Sequence, residues 1–314
     1  MGIPMNIEIF GTESLGVRGL SCRVETKEHN ILIDPGIALG YNRYGLLPHP
    51  FQVAVGRMIR DKIIAAFPKA TDVVISHYHG DHIPLSDANP YQLKTHQVPA
   101  LQQDVRFWFK GPSGVHENMM LRAKNLASFF QRPLTNAEGK RYGPLDFSES
   151  VPHGEAHTHL GQVMMTRIED EDGVFVHASD IQLLDRKAIL CIVQWEPDLV
   201  LASGPPLYLS HLSKKKVSLA WENAVTLSQA VKTLILDHHI MRSEQGIVWL
   251  KRLSDTTGNQ VICSADFMRR PRLLLEAWRK ELYKELPINK GWHQDYAKGK
   301  VDLRQYRKWR IYKV

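Results

Sequence analysis

The sequence predicts an α/β fold on three observations. Short apolar runs of strand length alternate with a longer stretch of helical periodicity in the first 80 residues. Those runs stop at Pro, Gly or a polar residue, where backbone pairing ends. One of them, Val73-Val74-Ile75, leads into His77-Tyr78-His79-Gly80-Asp81-His82. A buried strand ending in three imidazoles and a carboxylate brings several metal-ligand groups to one point at a sheet edge.

Two strands open the chain, Asn6–Phe10 and Cys22–Thr26, joined by a Gly-containing turn. A third, Asn30–Ile33, stops at Asp34-Pro35-Gly36. Val53 to Phe67 carries Val55, Met58, Ile59, Ile63 and Phe67 at helical spacing before the strand at Val73. Strand, helix and buried strand in succession favour a layered α/β arrangement. From about residue 90 to 147 the pattern changes, and a helix over Val115–Gln131 reads as an insertion that leaves the sheet. Strands return at Gln162–Ile168 and Gly173–His177, with the acidic turn Glu169-Asp170-Glu171-Asp172 between them as a hairpin. Leu199–Ala202 and Thr233–Leu236 are further buried runs flanking a helix over Leu219–Val231, and Val261-Ile262-Cys263 adds one more strand. With no repeat and no low-complexity linker, residues 1–314 read as a single domain, with a C-terminal extension over about 269–314.

Composition limits the function. No apolar run reaches membrane-span length, and Met1–Asn6 lacks a basic segment ahead of a long apolar stretch, so a cytoplasmic protein without membrane contact is expected. Cys22, Cys191 and Cys263 are odd in number and far apart, which supports small buried hydrophobes rather than disulfides or a thiolate zinc site. The net charge of +7 is uneven. Residues 269–314 hold fourteen Lys and Arg against five Asp and Glu, so the rest of the chain is close to neutral. A helix over Pro271–Leu286 would place Leu274, Leu275, Trp278, Leu282 and Leu286 on one face. Beyond it Trp292, Tyr296, Tyr306, Trp309 and Tyr312 alternate with basic residues, as in a nucleic-acid stacking surface or a tail docked on the core.

One His-rich cluster does not supply two metals, so other polar residues at the ends of apolar runs are candidates: Asp34, His153, Asp180 and His238. His153, His157 and His159 all precede Gly161, and any of them could complete a site. His238 and His239 are adjacent, and from an extended strand both cannot face the same site. His29, His49, His96, His116, His177, His211 and His293 lack ligand spacing and read as surface or structural residues.

The order strand–Asp34, His77-x-His79-x-Asp81-His82, His153, Asp180, His238 resembles the five ordered motifs of the metallo-β-lactamase superfamily over residues 6 to 242. That resemblance implies a four-layer αββα sandwich with a dinuclear metal site at one edge of the two sheets. His77, His79 and His153 would hold one divalent ion and Asp81, His82 and His238 the other, with Asp180 bridging; the ions would be Zn, with Mn or Fe as alternatives. Asp81 and Asp34 would be the catalytic carboxylates, Asp81 as a ligand and Asp34 as the hydrogen-bond acceptor that fixes ligand geometry. The spacing of His153 to Gly161 is similar to that of the phosphodiesterase branch. Arg242, four after His238, resembles the His-x-x-x-Arg feature of the tRNA 3′-processing members. Asp237-His238-His239 and Gly204-Pro205-Pro206 are similar to a prokaryotic branch of predicted hydrolases.

The implied activity is metal-dependent hydrolysis by a metal-bridging hydroxide. The basic aromatic tail and Arg242 point to a phosphodiester or other anionic substrate, either a small molecule or nucleic acid. Lactone or thioester hydrolysis is the alternative within the same chemistry. A diiron oxidoreductase is disfavoured because that branch carries Glu where this chain has His79. A zinc-stabilised nucleic-acid-binding protein is disfavoured because structural zinc sites are closed and usually contain Cys.

Overall fold

Each regular element starts and stops for a local reason. Helix α1 (Pro50–Ala66) begins with Pro at its first turn, where a missing N–H costs nothing, and His49 Nδ1 accepts the N–H of Phe51 at 3.2 Å. Asp185 caps helix α3 (Arg186–Gln194) by accepting the N–H of Ala188, and Ser213 caps α4 (Lys214–Gln229) through Lys216. Helix α2 (Glu117–Phe130) ends at Gln131 and α5 (Gln245–Thr257) at Gly258, both in the left-handed region. The computed structural model describes residues 5–155 and 161–308.

The strands form two mixed sheets. In the first, β1 (Asn6–Gly11), β2 (Ser21–Glu25), β3 (Asn30–Ile33), β4 (Asp72–Ile75) and β5 (Arg106–Phe109) lie in chain order. β1 to β3 are antiparallel, and β3 to β5 run parallel with α1 as the β3–β4 crossover. The second sheet contains β6 (Arg141–Tyr142), β7 (Leu145–Phe147), β10 (Thr166–Asp170), β11 (Gly173–Ser179), β12 (Leu199–Ala202), β13 (Thr233–Leu236) and β14 (Gln260–Ile262). Its order is β14-β13-β12-β11-β10-β7-β6, parallel from β11 to β14 with α3, α4 and α5 as crossovers. A small hairpin, β8 (Val151–Pro152) with β9 (Gln162–Val163), stands at the rim.

One hydrophobic cluster runs through both sheets and reaches the buried faces of the helices, from Val24 and Val73 to Val176, Leu201 and Leu234. The amphipathic helices cover the outer faces, which gives the four layers of an αββα sandwich. Polar ties join the sheets where their parallel strands end. Ser76 Oγ lies 2.7 Å from Ser179 Oγ, Met164 N–H donates to Ser76 O, and Asp237 accepts from Ser14 N–H, Ser14 Oγ and Ser264 N–H. The carboxyl ends of β3, β4, β11 and β13 therefore meet at one rim, the position where open α/β sheets place ligands.

Three expectations need correction. Residues 90–147 do not leave the sheets: besides α2 they supply β5 to the first sheet and β6 and β7 to the second. The stretch Gln162–Ile168 is not one strand, because Met164 and Met165 spend their N–H groups on Ser76 O and Ser148 Oγ. Only α7 (Arg279–Glu285) is helical within 271–286. Pro271 disfavours helix in the residue before it, and Leu273 N–H is bonded to Ser14 O at 2.7 Å. Leu274, Leu275, Trp278 and Leu282 are buried all the same.

The extension docks its aromatics. The short helix α6 (Ser264–Phe267) precedes it and α8 (Trp292–Ala297) lies within it. Trp292 is buried and stacks on Tyr296, which stacks in turn on Tyr91, while Trp292 Nε1 donates to Tyr306. Trp292 is thus committed to the core, and Tyr296 and Tyr306 are partly buried against it. Trp309 and Tyr312 lie outside the described residues. Among the described residues no helix is long and apolar enough to cross a membrane.

Candidate metal centre

The site begins at the end of β4. Ser76 N–H and Oγ both donate to Asp34, at 2.8 and 2.5 Å, and Ser76 Oγ lies 2.9 Å from His77 Nδ1. His77 Nε2 is thereby directed inward and lies 2.9 Å from His79 Nδ1. The chain then turns tightly, with His82 N–H donating to His79 O. Gly36 lets the next segment close in: a Cβ there would stand 2.1 Å from Ile83 N and 2.2 Å from His82 C. Asp34 Oδ2 accepts from Ser179 Oγ and lies 3.0 Å from His82 Nδ1. A proton on Nδ1 leaves Nε2 of His82 as the free lone pair. Asp34 is fully enclosed, so its role is to position His82 and Ser76 rather than to touch a substrate.

Asp180, at the turn after β11, is the centre of the constellation. Its Oδ2 lies 3.6 Å from His77 Nε2, 4.0 Å from His79 Nδ1 and 3.2 Å from His153 Nε2. Its Oδ1 lies 3.2 Å from His82 Nε2 and 3.6 Å from His238 Nε2, and His238 Nε2 is 3.4 Å from Asp81 Oδ2. His77, His79, His153 and Asp180 thus form one group, and Asp81, His82 and His238 another. Within each group the ligand atoms lie within 4.8 Å of one another. The seven residues expected from the sequence come together at one rim.

The donor set fits divalent cations. His82 Nε2 and Asp180 Oδ1 are buried without a hydrogen-bond partner, a cost of about 1–3 kcal/mol each that a cation between them would remove. Burial pushes His77 and His239 down to about 3 and lowers His153 and His238, which favours the neutral imidazole that a cation needs. His82, though buried, is raised well above its ordinary value by the charge of Asp180 and its bond to Asp34. Burial alone would raise Asp34, but the hydrogen bond and charge of His82 hold it at about 2. Asp180 is held well below its ordinary range by His82, His238 and His153 in spite of its burial.

His239 corrects the sequence reading. His238 has φ of 77°, in the left-handed region, and His239 is helical, so strand alternation ends at Asp237. Both imidazoles face the cluster: His239 Nε2 lies 3.5 Å from Asp180 Oδ2 and 3.4 Å from His153 Nε2. His157 and His159 lie outside the described residues. Ser76 and Ser179 carried no signal beyond standing next to a ligand. Four of the other histidines pair elsewhere: His29 with Asp72, His49 with Leu286 O, His177 with Leu20 O, and His293 with Tyr91 and Tyr283.

Arg242 closes the rim. It is buried, its Nε donates to Glu13 at 2.9 Å and its Nη1 to Tyr208 OH at 3.0 Å. Its Nη2 lies 2.8 Å from His238 Nε2 and 3.8 Å from Asp81 Oδ2. Gly19, where a Cβ would meet Asp81 O at 2.7 Å, brings its N–H to His238 Nδ1. A separate cleft of about 500 Å³, lined by Glu28, His29 and Glu169 to Asp172, sits at the other end of β11 and has no ligand group of this kind.

No family model matches the sequence. A Methanosarcina mazei UPF0282 protein is 48% identical over 302 residues, covering 96% of this chain and 99% of its own length. The chain belongs to the UPF0282 family. UPF0282 proteins of Thermococcus sibiricus and Methanopyrus kandleri are 33% and 34% identical, covering 92% and 88% of this chain and 100% and 99% of their own. Among solved structures, unliganded yeast PDE1 aligns with 12% identity and a TM-score of 0.45, covering 90% of this chain and 94% of that one. A Staphylococcus aureus metallo-β-lactamase aligns with 11% identity and a TM-score of 0.33, covering 98% and 75%.

Proposed function

We propose that this UPF0282 protein is a dinuclear metal-dependent hydrolase that acts on phosphodiesters. The observation that carries the reading is Asp180, which turns one carboxylate oxygen to each of the two ligand groups. When bound, a pair of divalent ions there supplies an activated water at neutral pH and neutralises charge developing on the scissile group.

The chain's own residues do the rest. Asp34 and Ser76 hold His77 and His82 in the rotamers and tautomers that face the centre. Arg242 places a fixed positive charge beside Asp81, where a substrate oxyanion would sit, and Glu13 and Tyr208 keep its guanidinium from turning away. Although Glu13 pairs with its Nε, Arg242 turns Nη2 towards Asp81 and the cluster, and that N–H donor suits the oxygens of an anionic ester better than a neutral lactone.

The test is the purified protein loaded with zinc or manganese, assayed against bis-p-nitrophenyl phosphate and against a lactone panel. Hydrolysis of the diester that disappears on metal removal supports the reading. Efficient lactone turnover with the diester untouched and both ions bound would overturn it.

A further inference from the structure

Outside the ligand cluster, Arg43 has no assigned role. It lies in the loop 40–46, with its guanidinium carbon 4.6 Å from the Tyr44 ring centroid and 4.9 Å from that of Tyr208. Arg242 approaches the same Tyr208 ring at 5.6 Å. Arg43 Nη2 also donates to Arg242 O at 3.3 Å. One aromatic ring thus separates the cation at the ligand cluster from a second cation further out. Lys280, at the start of α7, sits over the other ring of this group, with Nζ 4.7 Å from the Tyr44 centroid.

Two features mark this group as prepared for an anion. Among the described residues no carboxylate pairs with Arg43 or Lys280, whereas Arg242 is offset by Glu13. Arg43 Nε is buried with no partner at all. The loop is also held in a costly conformation. Tyr44 has φ of 59°, left-handed for a bulky residue, and persists because its surroundings over-determine it. Arg43 and Leu46 exchange both backbone bonds at 3.0 Å, Asn42 Oδ1 accepts from Gly45 N–H, and buried Arg279 donates to Gly40 O and Leu46 O. Tyr44 is 47% exposed as a residue, and both cations lie over its ring.

We infer that Arg43 and Lys280, seated against the Tyr44 ring, form a second subsite that binds a non-scissile phosphate of the substrate. Arg43 Nη2 is held by Arg242 O and Tyr44 OH, which leaves Nη1 as the donor for a phosphate oxygen beside the Lys280 ammonium. This inference rests on the hydrolase reading for the scissile group, but the subsite itself needs no metal.

The experiment compares adenosine 5′-monophosphate with adenosine 3′,5′-bisphosphate by calorimetry, on metal-loaded and metal-free protein. The wild type should bind the bisphosphate about tenfold more tightly. Arg43→Gln and Lys280→Gln should abolish that preference by weakening the bisphosphate more than the monophosphate, with thermal melting showing both variants folded. Metal-free protein should keep an Arg43-dependent preference. A 5′-phosphorylated dinucleotide measured in parallel separates a free nucleotide from a strand end. Equal affinity for one and two phosphates in the wild type would overturn the subsite, as would variants that weaken both ligands alike. Bisphosphate binding through Arg43 without any phosphodiester hydrolysis would support the subsite while overturning the hydrolase reading. Hydrolysis with bisphosphate binding insensitive to Arg43→Gln would do the reverse.

Discussion

Asp34 Oδ2 lies 3.0 Å from Nδ1 of His82, and the same carboxylate takes Ser76 N–H, Ser76 Oγ and Ser179 Oγ. A buried residue with no access to substrate thus sets the tautomer of a ligand and ties together the ends of β4 and β11.

Asp34→Asn is expected to lower metal affinity by about 10- to 100-fold, the usual cost of losing a partner behind a ligand. The amide nitrogen that replaces Oδ2 is a donor and accepts from neither His82 Nδ1 nor Ser76 Oγ. Metal titration followed by equilibrium dialysis measures the effect; unchanged affinity would remove Asp34 from its positioning role.

His239→Ala should reduce bound metal about as much as His153→Ala, because both imidazoles point at Asp180 Oδ2. Elemental analysis of the two purified variants decides this. Full occupancy in His239→Ala would make His239 a bystander in the cluster.

Gly36→Ala is predicted to be the most damaging single methyl at the site. The new Cβ meets backbone of His82 and Ile83, which cannot rotate away. A loss of about 3 kcal/mol or more is expected in urea unfolding, accompanied by lower metal content. A variant that melts like the wild type would show that the 36 and 82 segments separate easily.

Acid stability should depend on Asp72, at the end of β4 remote from the ligands. Burial alone would raise its carboxyl, yet bonds from Arg106, His29, Trp108 and Thr71 hold it at about 2 against an ordinary 3.8. The folded value is the lower one, so its contribution is complete above about pH 4 and is lost as the pH falls towards 2. The gain is about 2 kcal/mol at neutral pH. Wild type and Asp72→Asn should therefore differ in unfolding free energy at pH 6 and converge near pH 2, as denaturant curves at the two pH values would record.

The strands at the core could be read from the chain because both their faces are buried. Asn30–Ile33, Leu199–Ala202 and Thr233–Leu236 are short apolar runs with clear stops, and the structure has the same limits. Edge strand β5 was missed because Arg106-Phe107-Trp108-Phe109 buries only alternate residues and resembles an ordinary aromatic patch. The helix expected over 271–286 failed because burial of Leu274 and Leu275 is achieved by a chain pinned to Ser14, for which periodicity has no signature. At the site, the H-x-H-x-D-H string was legible as local spacing. His239 was not, since a strand rule was applied to a residue just past a left-handed turn. The subsite around Arg43 was invisible, because Tyr208 and Lys280 reach it from distant parts of the sequence.

Asp237 has a kinetic consequence. Its carboxylate joins Ser14, 223 positions earlier, to Ser264, 27 positions later, and it directly precedes His238. Contacts of that span are paid for in loop-closure entropy before they return anything, so chains that rely on them refold slowly. The rim that gathers the ligands is then among the last parts to assemble, after the local βα units have formed. A refolding time course should recover helical signal well before it recovers the capacity to take up metal.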